Sequence, residues 1–270
     1  MLTYDALIEH AKQRGMPAVK LRGILREYLQ IIILKELCGS AQGRKLYFTG
    51  GTYLRFVHGL KRFSEDLDFN TDSIDKKEFE DSINEVRLGL ARRNIESKFK
   101  FGHWKNIYSA DIVFPEIEKK YGVESKFSKK QGIVIKIETN RPQWEIRKET
   151  GVISGFGEVY PCICTDKAAL FADKIDALNK KAKARHIYDL IFMLSNQHPI
   201  DKKVLSILGI KGSPEDVILK RINSFSKTDL KKQAEGLRPF LFEEKDADLI
   251  LSAHTIFPAL LEKYNPDESL

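Results

Sequence analysis

The segment from position 46 to position 69 constrains the fold of this chain more than any other. A short apolar run at 46–48 ends at the pair Gly50-Gly51, and residues 52–58 can then form a helix that starts near Thr52. Further on, Asp66-Leu67-Asp68-Phe69 alternates acidic and apolar residues, which predicts a strand with both carboxylates on one face. The segment therefore predicts a strand, a glycine turn, a helix and an acidic strand, in that order.

These two features together favour binding of phosphate and a divalent cation. Glycines let a backbone approach an anion closely, and a helix that follows presents N–H groups to negative charge. Two aspartates on one face of a strand can share Mg²⁺ or Mn²⁺, because such ions accept one or two carboxylates and complete their shell with water and phosphate oxygens. Taken singly, Gly50-Gly51 is more often a simple turn, and Asp66 and Asp68 more often a solvent-facing strand edge.

The rest of the chain predicts an α+β fold. Two helices, at about 4–14 and 19–37, precede the glycine segment, and an amphipathic helix follows at about 76–93. Period-two patterns then predict strands, and the chain is almost entirely helical after Thr165, which is a suitable N-cap. We expect a domain at 1–164 that contains a mixed sheet and a helical domain at 165–270. The clearest strands are predicted at 107–114, 132–139 and 158–164.

Composition narrows the function classes. The longest aliphatic run, at 31–34, is far shorter than the roughly 20 residues of a membrane span, and the start of the chain shows no export signal. We therefore expect a cytoplasmic protein with no membrane partner. Three cysteines fit a reducing compartment, and Cys162-x-Cys164 is either half of a metal site or two ordinary strand residues. A net charge of +7 favours polyanionic partners, either nucleic acid or nucleotide phosphates.

The order of strand, Gly-Gly-Thr turn, helix and Asp-x-Asp strand resembles the DNA polymerase β-type nucleotidyltransferase superfamily. More closely, the run GGTYLRFVHGLKRFSEDLDF resembles the AbiEii/AbiGii toxin family, nucleotidyltransferase-like toxins of type IV toxin–antitoxin and abortive-infection systems. Its members also carry an AxK helix, here 172–174, and a basic RDxYDL helix, here 185–190. The resemblance spans about 21–194, and it departs at His186, where an aspartate usually stands.

This resemblance implies a polymerase β-like core with a C-terminal helical half that contributes to a nucleotide cleft. It implies an enzyme that transfers a nucleotide from an NTP to an RNA acceptor such as the 3′ end of tRNA. Asp66 and Asp68 would hold Mg²⁺ or Mn²⁺, and a cognate antitoxin would be encoded nearby. Two alternatives are transfer to a protein or small molecule, and a degenerate member that only binds RNA or a partner protein.

Further residues can be assigned with their alternatives. Glu138 is the candidate third acid, although Glu138 and Lys136 share a strand face and could form a solvated pair. Lys174 would meet nucleotide phosphates or extend from a packed helix to solvent. Asp189 would orient Lys174 or Arg185, or simply pair with Arg185 at helical spacing. The predicted catalytic residues are Asp66, Asp68, Glu138 and Asp189, the predicted metal ligands are Asp66 and Asp68, and the predicted nucleotide-binding residues are Gly50, Gly51, Thr52, Arg55, Ser64, Lys136, Lys174 and Arg185.

Several groups of basic residues could follow an RNA backbone if they surround one cleft, and are otherwise solvated faces. They are Lys180, Lys181, Lys183 and Arg185; Arg92 and Arg93 with Lys98 and Lys100; Lys129 and Lys130; and Lys231 and Lys232.

Overall fold

The computed structural model describes residues 1–105, 107–123, 132–181 and 183–266, so the predicted basic pair Lys129-Lys130 lies outside the described residues. The chain divides into two compact units. Unit 1 comprises Met1–Gly59, Phe63–Pro142 and Lys148–Thr165, and unit 2 comprises Leu60–Arg62, Gln143–Arg147 and Asp166–Leu270. No helix among the described residues is long and apolar enough to span a membrane.

Unit 1 contains a seven-stranded mixed sheet with the strand order β3-β4-β5-β2-β1-β7-β6. β2 pairs antiparallel with β1 and parallel with β5, β1 pairs parallel with β7, and the remaining pairs are antiparallel. The strands are β1 (Tyr47–Thr49), β2 (Leu67–Asn70), β3 (Lys98–Trp104), β4 (Ile107–Phe114), β5 (Ile133–Asn140), β6 (Lys148–Gly155) and β7 (Glu158–Thr165).

Apolar helices cover one face of this sheet. The helices of unit 1 are α1 (Tyr4–Gln13), α2 (Leu21–Gly39), α3 (Gly50–Val57), α4 (Lys76–Arg92) and the short α5 (Ile117–Lys120). α2 is buried along most of its length and contacts α4, β5, β6 and β7. A capping box between Asp75 and Glu78 sets the start of α4, because each side chain bonds the backbone N–H of the other.

Unit 2 is helical. Its first helix, α6, begins one residue later than predicted, since the carboxylate of Asp166 rather than Thr165 accepts the N–H groups of Ala168 and Ala169. α6 packs against α7, which in turn contacts α10, α11 and α12. The helices are α6 (Lys167–Lys180), α7 (Ala184–Ser195), α8 (Lys202–Ile207), α9 (Pro214–Asn223), α10 (Lys227–Leu237), α11 (Asp248–Leu251) and α12 (Ala253–Glu262).

The predicted α+β class, with N-terminal helices, a mixed sheet and a helical C-terminal half, is confirmed. The main differences are additions. The exposed strand β3 and the hairpin strand β6 were not predicted, and α3 begins at Gly50 instead of Thr52.

Candidate functional site

Gly50 and Asp68 are in very close contact where α3 begins. Gly50 has a φ of +81°, and a Cβ atom built on it would lie 2.3 Å from Oδ2 of Asp68. A side chain is therefore excluded at position 50 for two reasons, the left-handed backbone and the neighbouring carboxylate. The contact places the Asp68 carboxylate beside the partially positive N-terminal end of α3.

The strand register extends this contact into a row across the sheet. Asp68 in β2 lies opposite Thr49 in β1 and opposite Glu138 in β5, so the three side chains share one face. Asp66 precedes Asp68 by two residues and lies just before β2 begins, and its charge helps to raise the pKa of Lys136 in β5. The structure thus places Asp68 and Glu138 side by side on one face of the sheet, with Asp66 two residues before Asp68 along the chain.

The loop that carries Asp66 is fixed by its backbone. The hydroxyl of Thr52, which is fully buried in α3, donates to the carbonyl oxygen of Asp66. The side-chain amide of Gln30 in α2 donates to the carbonyls of Ser64 and Glu65, at 3.1 and 3.0 Å. Thr52 was predicted to bind nucleotide through this part of α3. Its hydroxyl instead joins the glycine helix to the acidic loop, and Ser64 contributes its backbone to the same support.

Arg55 also differs from its predicted role as a nucleotide-binding residue. Its guanidinium donates Nε and Nη2 hydrogen bonds of 3.0 Å each to the carboxylate of Glu27 in α2, and both side chains are buried. Arg55 also lies five residues after Gly50, about 7.5 Å further along the helix axis. The structure corrects the expectation, because Arg55 ties α3 to α2 within the core.

Lys136 and Glu138, on the same face of β5, form an ion pair. The hydrogen bond with Glu138 raises the pKa of Lys136 against the effect of burial, and the charges of Asp66 and Asp111 act in the same direction. Both side chains are half-exposed. This half-exposed ion pair agrees with the alternative of a solvated pair. Glu138 also lies opposite Asp68 in the strand register, which is the position expected of a third acid.

Thr49 is a residue that the sequence analysis missed. Its side chain is buried, its hydroxyl has no hydrogen-bond partner among the described residues, and it makes no capping bond to α3. A buried hydroxyl without a partner is costly, so it marks a position where a ligand atom would be favourable. The signal was present in the sequence as a threonine directly before two glycines, but the helix start had been predicted at Thr52.

A second charged cluster lies inside unit 2. The guanidinium of Arg62 donates two hydrogen bonds, of 2.7 and 2.8 Å, to the carboxylate of Asp189, and the ammonium of Lys174 donates a third at 2.7 Å. Asp189 is fully buried. Burial alone would favour the neutral acid, but Arg62 and Lys174 hold the pKa of Asp189 below its ordinary value.

This cluster shows which charged groups contact Asp189. Its carboxylate contacts Lys174, which Asp189 was predicted to orient, and Arg62, which the sequence analysis did not assign. Arg185 is exposed, and no ion pair joins it to Asp189 among the described residues. Arg62 is 127 positions from Asp189 along the chain, so helical spacing could not reveal the contact.

His186, the departure from the usual family motif, is buried next to this cluster. Burial and then the charge of Lys174 lower its pKa to about 3, so the imidazole is neutral near pH 7. Its Nδ1 atom has no hydrogen-bond partner among the described residues. The side chain at position 186 is therefore uncharged near pH 7, whereas an aspartate there would carry a negative charge.

The described part of the chain contains no group of three His, Cys, Asp or Glu residues arranged to hold a metal ion. Cys162 and Cys164 are buried strand residues of β7 with free thiols, so they match the simpler of their two interpretations. Asp66 and Asp68 stay predicted metal ligands, as a pair of carboxylates.

Comparison with known proteins gives the fold and the family. The structure is similar to that of JHP933 from Helicobacter pylori, with a TM-score of 0.54 and 19% sequence identity over 89% of this chain and 94% of that one. It is also similar to MenT4, a nucleotidyltransferase toxin from Mycobacterium tuberculosis H37Rv, with a TM-score of 0.60 and 19% identity over 99% of this chain and 95% of that one. A search of curated protein sequences gave no match.

The family comparison covers most of the chain. The model of the family described as "Nucleotidyl transferase AbiEii toxin, Type IV TA system" matches residues 32–252, which include both Asp68 and Asp189. The chain therefore belongs to the AbiEii nucleotidyltransferase toxins of type IV toxin–antitoxin systems.

Proposed function

We propose that this protein transfers a nucleotide from an NTP to an RNA acceptor, such as the 3′ end of tRNA, in a reaction that depends on a divalent metal ion. The observation that carries the proposal is the contact between Asp68 and Gly50 at the start of α3, with Asp66 two residues away. This contact supports the proposal, because a carboxylate beside such backbone could hold a cation next to a bound phosphate. The net charge of +7 supports a polyanionic acceptor.

The donor atoms fit Mg²⁺ or Mn²⁺. Mg²⁺ is commonly held by one or two protein carboxylates, with substrate phosphates and water filling the remaining positions. Asp66 and Asp68 provide such a pair, and no third His, Cys, Asp or Glu ligand was found with them in the described part of the chain. When bound, the ion would neutralise phosphate charge and polarise the α-phosphorus centre.

The chain's own residues would bind and orient the NTP. Gly50 and Gly51 would receive its phosphates at the N-terminus of α3, and the unpartnered hydroxyl of Thr49 would donate to a phosphate oxygen. The acceptor hydroxyl oxygen would then bond to the α-phosphorus as the bond to the β-phosphate oxygen breaks. Pyrophosphate leaves, and the hydroxyl proton passes to solvent water.

The remaining predicted residues have defined tests within this proposal. We propose Glu138 as an acid that supports the Asp66–Asp68 pair, and Lys136, Lys174 and Arg185 as contacts to the nucleotide. Changing each of these four residues to glutamine should raise KM for the NTP or lower kcat if the role holds. A variant with native kinetics would remove its residue from the site.

The decisive experiment measures transfer of label from an NTP to total tRNA in the presence of Mg²⁺. Asp66→Asn and Asp68→Asn should each reduce labelling by more than about 100-fold, since even residues that only support metal ligands cost 10- to 100-fold when changed. Asp81→Asn is a matched control, because Asp81 lies on the exposed face of α4 in a pair with Lys77. Equal labelling by all four proteins would refute the proposal.

The same assay separates the alternatives. Label that appears in protein or in a small molecule instead of RNA would redirect the acceptor assignment. RNA binding that does not depend on Asp66 or Asp68, without any nucleotide transfer, would indicate a degenerate family member. The type IV family also implies a partner antitoxin, and we propose that growth arrest on expression, abolished by Asp68→Asn, is the activity that it restrains.

A further inference from the structure

The edge strand β3 carries exposed basic and aromatic side chains on the face of the sheet that holds Asp68. Lys98, Lys100, Gly102 and Trp104 alternate along one side of β3, and all four are exposed. Trp104 is 70% exposed. The strand therefore presents a large aromatic ring to solvent on the same side as two lysines.

The register connects this strand to the acidic residues. Gly102 pairs with Ser109 in β4, Ser109 pairs with Glu138 in β5, and Glu138 pairs with Asp68 in β2. Directly paired residues share a face, so Trp104, two residues from Gly102, faces the same side as Asp68. Three strand spacings separate β3 from β2, which corresponds to about 14 Å.

The path between β3 and Asp68 carries small side chains and accessible charge. Gly102 and Ser109 have small side chains or none, so the row of paired residues from β3 to Asp68 is not blocked by bulky groups at these two positions. Lys98 and Lys100 have no carboxylate within ion-pair distance among the described residues, although Asp111 lies opposite Lys100 across the strands. Their charges are therefore accessible to a polyanion.

The opposite face anchors the hairpin of β3 and β4. The ring of His103 stacks on Tyr108, with centroids 5.2 Å apart, and Tyr108 stacks on Phe79 of α4 at 5.9 Å. The N–H of Tyr108 also donates to the hydroxyl of Thr139 in β5. This support holds the exposed face in place without using Trp104.

We propose that Lys98, Lys100 and Trp104 form a binding surface for the single-stranded end of the RNA acceptor, an inference that rests on the proposed function. Proteins bind single strands through aromatic rings on which bases stack and through basic side chains that follow the backbone, with little dependence on sequence. The alternation on β3 supplies both groups. The surface lies on the same face as Asp68, so a bound strand can extend its terminal hydroxyl along the row of Gly102, Ser109 and Glu138.

The test measures binding of an unstructured RNA of about eight nucleotides to the full chain, without NTP. Trp104→Ala should weaken binding by about 5- to 150-fold, the range for loss of one base stack, while Trp104→Phe should retain most of the affinity. The fluorescence of exposed Trp104 should be quenched by the RNA, whereas Trp144, the other tryptophan, is buried.

Salt dependence tests the two lysines separately. The double change Lys98→Ala and Lys100→Ala should reduce the slope of log affinity against log salt by about 1.4, because each contact to a single strand contributes about 0.7. The control changes Lys202 and Lys203 to alanine, two exposed lysines at the start of α8, and should leave both affinity and slope unchanged. Thermal unfolding confirms that each variant is folded.

The outcomes distinguish this inference from the proposed function. Transfer to RNA that depends on Asp68, with native RNA affinity in Trp104→Ala, overturns the binding surface alone. Binding that depends on Trp104 and both lysines, without any transfer, supports the surface and contradicts the proposed function. Failure of the native chain to bind the RNA overturns the inference.

Discussion

Gly50 and Asp68 are in contact so close that a single added carbon at position 50 would meet the carboxylate oxygen at 2.3 Å. The glycine gives the backbone at the start of α3 its left-handed φ, and the carboxylate occupies the space that a side chain would need. The backbone conformation at the start of α3 and the position of the Asp68 carboxylate therefore both depend on Gly50.

The first prediction concerns this contact. Gly50→Ala should destabilise unit 1 by the left-handed backbone cost of about 1–2 kcal/mol and should also displace Asp68, which abolishes transfer. Gly157→Ala is the matched control, because Gly157 has a φ of +80° but nothing within 4 Å of an added Cβ. The melting temperature of the control should be slightly below that of the native chain, and its transfer activity should be unchanged. Normal transfer by Gly50→Ala would contradict the role of the contact.

The second prediction separates Arg55 from nucleotide binding. Because Arg55 and Glu27 form a buried bidentate pair, Arg55→Gln and Glu27→Gln should each lower the free energy of unfolding by about 3–5 kcal/mol. The double variant should lose less than the sum of the two losses. Urea unfolding measures these values. The folded fraction of Arg55→Gln should keep the native KM for NTP, and a raised KM would restore Arg55 to the phosphate site.

The third prediction uses the depressed pKa of Asp189. A carboxyl group whose pKa is lower in the folded state stabilises the fold above its unfolded pKa, and this stability is lost as pH falls below that value. The native chain should therefore lose stability as pH falls below the ordinary value of 3.8, while Asp189→Asn should lack this component. At pH 7 the variant should be less stable by about 3–5 kcal/mol, because Arg62 and Lys174 are left without their counter-charge.

Urea unfolding at pH 7 and at pH values below 4 checks this prediction. Asp176→Asn serves as the control, since Asp176 pairs with Lys180 on the exposed end of α6. The same acid dependence in the native chain and in Asp189→Asn would contradict the assignment.

The fourth prediction concerns His186. Its pKa is lowered from 6.5 to about 3 in the folded chain, so only the unfolded chain takes up a proton as pH falls below 6.5. The loss of stability should amount to about 2 kcal/mol between pH 6.5 and pH 5. His186→Gln should flatten the stability profile over this interval in chemical unfolding. A His186→Gln profile that falls over this interval as steeply as that of the native chain would contradict the assignment.

Local patterns in the sequence predicted much of the fold. Helical periodicity located α1, α2 and α4 to within about two residues, and strand alternation located β4, β5 and β7 with similar accuracy. β3 was missed although Lys98–Phe101 alternate basic and aromatic residues, because the alternation covers only four residues before Gly102. β6 carries two glycines and several polar residues, which weakens the same signal.

The common face of Lys136 and Glu138 was predictable because side chains two residues apart lie on the same side of a strand. The order of strands that makes Asp68 and Glu138 neighbours is a tertiary property, and in this chain the motif resemblance suggested it. The partners of Arg55 and Asp189 were not predictable, since Glu27 and Arg62 lie 28 and 127 positions away. Buried charges need a counter-charge, but a single sequence does not say which one.

The three residues Leu60–Arg62 belong to the helical unit although the chain on both sides of them belongs to the sheet unit. A gene divided after Thr165 would therefore yield a downstream fragment that retains Asp189 and Lys174 but lacks Arg62. In this fragment the carboxylate of Asp189 would keep Lys174 as a counter-charge but would lose Arg62. The fragment would therefore not be a complete folding unit. Chimeras between relatives should consequently exchange Leu60–Arg62 and Gln143–Arg147 together with the helices, because both segments belong to unit 2 although they precede Thr165 in the chain.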